Sequence, residues 1–151
     1  MDKSSQLQQL FQLGQQAREC GYGVLPDVMD GLEFERMLSA SGPTGGEVRR
    51  PSDGATPRRI GWIQCVGSRD VSRGSGYCSS ICCMAATKEA VIATNHHSEI
   101  DPTIFYMDLR AQGKGFDDYV DRARLSHGVR TRRSMISQVY LNPENDNLII
   151  E

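Results

Sequence analysis

The sequence predicts an α/β protein built on a parallel sheet, and three observations carry that expectation. Two nearly continuous apolar runs of strand length, Arg59–Val66 (RIGWIQCV) and Thr103–Leu109 (TIFYMDL), are each followed by a helical pattern. Those helices are Cys82–His97 and Phe116–Ser126, and a third strand pattern starts at Val129. Strand, helix, strand, helix, strand folds most simply as parallel strands joined by right-handed crossovers. With 151 residues, 38% apolar and 24% charged, the chain is one domain in size and can pack a core.

Taken in order, residues 4–20 read as an amphipathic helix, with Leu7, Leu10, Phe11 and Ala17 on one face and Gly21 as its stop. Residues 21–57 are mixed. Gly31–Ala40 forms a helix carrying Leu32, Met37 and Leu38, and residues 41–57, dense in Gly, Pro and Ser, form a loop. Residues 58–151 make the α/β unit. Its first strand reads as buried on both faces. The helix Cys82–His97 places Met84, Ala85, Val91 and Ile92 on one face, with Lys88 between them. In the next helix Phe116, Tyr119, Val120 and Ala123 share a side, Asp118 pairs with Arg122, and Gly128 is the terminator. Val129–Leu141 and Leu148–Glu151 then pair around the turn NPENDN.

Charge and hydropathy narrow the function. A formal net charge of −2 disfavours nucleic-acid binding, which needs a basic face. No run approaches the ~18 apolar residues of a membrane helix, and the N-terminal stretch lacks the apolar core of a signal peptide. A soluble, cytoplasmic protein without direct membrane insertion is expected.

Four of the five cysteines fall together, as Cys65-x12-Cys78-x3-Cys82-Cys83. They follow the first strand of the parallel unit, at the carboxyl edge where such sheets bind ligands. Four thiolates suit zinc or a [4Fe–4S] cluster. Zinc sites use two close cysteine pairs, whereas this spacing has one, and adjacent Cys82 and Cys83 do not readily reach one small ion. A cubane offers separate iron corners, so the spacing favours iron–sulfur, and zinc stands as the alternative. The helix starting near Cys82 favours negative charge at its N-terminus. Gly67, Gly74 and Gly76 let backbone amides approach sulfur. Arg69 and Arg73 read first as solvated loop charges, with offsetting of cluster charge as the second reading. Cys20 reads as a spare thiol.

The remaining candidates have ordinary explanations. His96, His97 and His127 cap helix C-termini, and Gly113, Lys114 and Gly115 are turn residues. Met84, Met107 and Met135 fill core. Arg130, Arg132 and Arg133 form a small basic patch suited to an acidic partner. Asp108 and Arg110, at a strand end, read as an ion pair or as lining for a bound group. No catalytic residue is assigned.

The strings IQCVGSRD, YCSSICCMAATKEA and FYMDLRAQGKGFDDY, with YGVLPDVMDGLEFERMLSASGPTGGEVRRPSDG upstream, resemble the A subunits of heterodisulfide reductase and the related subunits of quinone-interacting membrane-bound oxidoreductases. The resemblance runs from about Gly21 to the end. It implies a partial FAD/NAD(P)-linked disulfide-reductase-like (Rossmann-like) parallel sheet with a cysteine-rich cluster loop. It also implies Cys65, Cys78, Cys82 and Cys83 as ligands of one [4Fe–4S] cluster, FAD nearby, and other redox subunits as partners in a hetero-complex or oligomer. Ser39, Ser41, Gly42, Gly45 and Gly46 would face the flavin in such a fold. Two departures stand out: no G-x-G-x-x-G occurs here, and no ferredoxin-type cysteine run. The chain therefore reads as an electron-transfer subunit or fragment, or as a truncated remnant of a larger one. The reading of another class is a zinc-stabilised scaffold.

Overall fold

The computed structural model describes residues 25–151. The expected helix 4–20 and Cys20 lie outside the described residues. Elements are numbered in chain order within them. Helix α1, Gly31–Leu38, begins at Asp30, whose carboxylate accepts from the Glu33 amide at 2.8 Å while the Glu33 side chain accepts from the Asp30 amide at 3.0 Å. This reciprocal cap satisfies two amides that a short helix otherwise leaves open. Phe34 and Met37 are its buried residues, rather than the expected trio of Leu32, Met37 and Leu38.

Strand β1 (Arg59–Ile63), β2 (Asp101–Tyr106) and β3 (Arg130–Arg133) form one sheet in the order β1-β2-β3, with both pairings parallel. Helix α2 (Cys82–His96) joins the first two strands and α3 (Phe116–His127) the last two. The expected alternation of strand and helix is present. Both strand expectations overran at the carboxyl end: β1 stops at Ile63 rather than Val66, and β2 at Tyr106 rather than Leu109. The chain beyond those points turns to build a site.

Two expectations about faces are corrected. Strand β1 is not buried on both faces: it lies at the sheet edge, with Trp62 buried and Gly61 exposed, and β2 is the central strand. On α2 the buried residues are Cys83, Ala86, Thr87, Glu89, Ala90, Val91 and Ala93, not the face of Met84, Ala85 and Ile92. Small side chains let α2 approach β2, α1 and α3 closely, so size overrode hydrophobicity in choosing the inward face.

The core runs from α1 through the sheet. Trp62 meets Phe34 edge-on with centroids 5.5 Å apart. Ile104 on the central strand is fully buried, as is Val48, which the loop reading of 41–57 did not anticipate. Helix α3 buries Val120 and Ala123 as expected, while Phe116 is 40% exposed. Its surface pairing differs: Arg124 meets Asp121 at 3.4 Å, and Arg122 stacks over Tyr119 at 5.8 Å, in place of an Asp118–Arg122 pair. Gly128 ends α3 in the left-handed conformation (φ 64°).

The final segment divides. Residues from Arg130 join the parallel sheet, and β4 (Val139–Leu141) and β5 (Leu148–Ile150) form a separate antiparallel pair around the turn NPENDN. Gly61 makes room for that hairpin: a Cβ there would lie 3.1 Å from Ile150 Cδ1 and 3.2 Å from Phe105 Cε2. Among the described residues no helix is long and apolar enough to cross a membrane.

Candidate thiol site

Cys65, Cys78, Cys82 and Cys83 lie in the connection from the end of β1 to the first turn of α2, all as free thiols. Backbone pairing outlasts β1 by one residue, with the Gln64 amide donating to the Phe105 carbonyl at 2.9 Å, and the chain then turns at Cys65. The long gap to Cys78 is closed by a small hairpin. Asp70 and Ser75 exchange backbone hydrogen bonds of 2.9 and 3.1 Å, and the Arg69 amide donates to the Tyr77 carbonyl at 3.1 Å. The Asp70 carboxylate steadies the tip by accepting from the Ser72 amide and hydroxyl. A twelve-residue insertion in sequence thus becomes a short excursion in space.

Cys82 and Cys83 occupy the first two positions of α2. Cys83 is buried, and its thiol donates to the Asp108 carbonyl at 3.8 Å. The Ser80 amide donates to the Cys78 sulfur at 3.4 Å. Cys65 (φ 62°), Arg69 (φ 60°) and Ser80 (φ 65°) all hold left-handed backbone without being glycine, and Asp146 is the fourth such residue among those described. Such backbone costs about 1–3 kcal/mol per residue, and it collects where structure serves a site rather than stability. Three of the four lie in the connection between β1 and α2.

The thiols are electrically inequivalent. The neighbouring Cys83 thiol holds the Cys82 pKa well below the ordinary thiol range despite burial, helped by Ser79 and the Cys65 and Cys83 amides. The same contact, with burial, pushes Cys83 up. Burial raises Cys65 too, and the neighbouring Cys82 and Cys78 add to this while Arg69 opposes it. Each of the four thiols is therefore within electrostatic reach of others in the set. Among the described residues no three His, Cys, Asp or Glu side chains converge tightly enough to hold a metal ion.

The other sequence candidates separate from the site or join it. His96 Nδ1 lies 2.7 Å from the Gly46 carbonyl, and His97 Nε2 lies 3.0 Å from Glu47, so these rings tie α2 to the loop before β1. Arg73 turns to Asp70 at 3.9 Å. Arg69 reaches Asp108 at 2.9 Å and is not a free loop charge. Arg133 also takes Asp108, while Arg130 pairs with Asp101 at 2.5 Å. Sequence reasoning missed Glu89, buried at 3% exposure, which accepts from the Trp62 indole at 2.9 Å. Its position among Ala86, Ala90 and Ala93 on an apolar face was the available signal.

A parallel three-stranded α/β sheet carrying a four-thiol loop at its carboxyl edge defines the class: a cysteine-site protein of α/β architecture. Relatives specify it further. The chain is 48% identical over 132 residues to the second iron–sulfur A subunit of the CoB–CoM heterodisulfide reductase of Methanopyrus kandleri, covering 87% of this chain and 20% of that protein. It is 47% identical, with the same coverage, to the iron–sulfur A subunit of the CoB–CoM heterodisulfide reductase of Methanocaldococcus jannaschii. Against the A subunit of the ferredoxin/F(420)H(2)-dependent CoB–CoM heterodisulfide reductase of Methanosarcina acetivorans it is 42% identical, covering 16% of that protein. The chain is thus a partial-length homologue of heterodisulfide reductase A subunits, as its motifs indicated. It spans about a fifth of the length of the curated relatives it matches. No family model matches it.

Proposed function

We propose that this chain is an electron-transfer segment of a heterodisulfide-reductase-type oxidoreductase and that Cys65, Cys78, Cys82 and Cys83 hold one [4Fe–4S] cluster. The observation that carries the reading is the placement of these four free thiols along one connection, from Cys65 beyond β1 to Cys83 in the first turn of α2, with left-handed backbone at Cys65, Arg69 and Ser80. One feature supports a cluster over zinc: neighbouring Cys82 and Cys83, the first two residues of α2, suit two corners of a larger body better than one small ion. The relatives' names as iron–sulfur subunits agree with it.

When bound, such a cluster takes up and releases single electrons. The chain's own residues supply the rest. Cys82 is poised to enter as a thiolate, whereas Cys65 and Cys83 release protons on ligation, so iron uptake strengthens as pH rises. The Ser80 amide and the α2 N-terminus place N–H groups toward sulfur, favouring the anionic form.

The same reading makes substrate chemistry and electron supply the work of partner redox subunits in the cytoplasm. A flavin does not fit on these residues alone. The turn between β1 and α2, where a pyrophosphate cradle belongs, is the cysteine loop, and no G-x-G-x-x-G is present. No step is therefore assigned to FAD.

The test is anaerobic purification with iron, sulfide and zinc analysis. About four irons per chain are expected, with each cysteine-to-serine variant losing iron. A colourless protein with one zinc per chain, or full iron in all four variants, would overturn the assignment.

A further inference from the structure

Three charged residues form one connected unit that touches both halves of the thiol set. Asp108, just beyond β2, places Oδ2 2.9 Å from Nη1 of Arg69 and accepts at Oδ1 from Nη2 of Arg133 at 3.3 Å. Arg133 is fixed by a second bond, from Nε to the Met107 carbonyl at 3.0 Å. The backbone carbonyl of Asp108 accepts the Cys83 thiol. Arg69, four residues beyond Cys65, is within electrostatic reach of that thiol. Asp108 is thereby joined to Cys83 through its own backbone and to Cys65 through Arg69. The Arg69 side chain is only 26% exposed, so solvent screens it less than Arg73, at 46%.

We infer, resting on the cluster reading above, that Arg69 and Asp108 are positioning residues that set the charge felt at the thiol site, with opposite signs. The unit holds two guanidinium groups and one carboxylate. Reduction adds one negative charge, which a nearby guanidinium favours and a nearby carboxylate opposes. Removing the Arg69 charge makes reduction harder, and removing the Asp108 charge makes it easier. A merely structural role would move both variants the same way, through a loosened loop.

The experiment uses the full chain, purified anaerobically and reconstituted with iron and sulfide. Iron content and midpoint potential are measured for the parent, R69Q, D108N and, as a reference, R73Q. The expected result is a lower potential for R69Q, a higher one for D108N and little change for R73Q. Each shift is expected to reach about tenfold in the oxidised-to-reduced ratio at fixed poise, which is about 59 mV for one electron. Shifts in one direction, no shift, or loss of iron from both Arg69 and Asp108 variants would overturn the charge-setting role while leaving the cluster reading standing. A parent chain that takes up no iron would overturn the cluster reading, and this inference with it.

Discussion

Replacing Glu89 with glutamine isolates the electrostatic cost of a carboxyl buried in the core. Glu89 sits on α2 with 3% exposure, its Oε2 accepting from the Trp62 indole. Burial pushes its pKa from the ordinary 4.5 up to about 7, Glu35 and Asp30 push it further, and the Trp62 bond and Lys88 oppose them. The folded chain therefore keeps a proton that the unfolded chain releases. Below pH 4.5 both states are protonated and there is no penalty; as pH rises to about 7 stability falls; above that both are ionised and the penalty is constant. The interval corresponds to about 3 kcal/mol. Glutamine keeps the shape and can still accept from Trp62, but does not titrate. Urea unfolding of E89Q against the parent, at matched iron content, is expected to show near-equal stability at pH 4. At pH 8 the variant gains about 3 kcal/mol, or roughly 10 °C in Tm. A stability difference that does not change between pH 4 and pH 8 would refute the argument.

Further outcomes follow from the packing. Ile104→Ala empties a fully buried position on the central strand and should cost about 2–5 kcal/mol, read as a lower urea midpoint. Gly61→Val places branched carbons where even a Cβ lies 3.1 Å from Ile150, so the β4–β5 hairpin should loosen. The expected loss is about 1–3 kcal/mol, with faster amide exchange confined first to residues 139–150. Unchanged exchange there would show that the hairpin does not rest on β1.

Much of the fold is legible along the chain because periodicity is local. Strands β1 and β2 and helices α2 and α3 stand where apolar runs and helical spacing place them, and Gly128 stops α3 by the left-handed conformation that glycine adopts freely. Errors arose where neighbours far along the chain decide. The inward face of α2 follows its small residues, since close approach to β2 matters more there than the hydrophobicity of Met84 or Ile92. Val48 reads as loop and is buried, because its partners come from other elements.

By itself the sequence determined the order of elements, the α/β class, the cysteine spacing and the resemblance that the relatives show. These depend on near neighbours, or on residue identity alone. Tertiary structure decided how the gap between Cys65 and Cys78 closes, that Arg69 and Arg133 share Asp108, and that Glu89 is buried under Trp62. Those contacts join side chains that the parallel register and its two crossover helices bring together across long separations, and no short-range pattern encodes them.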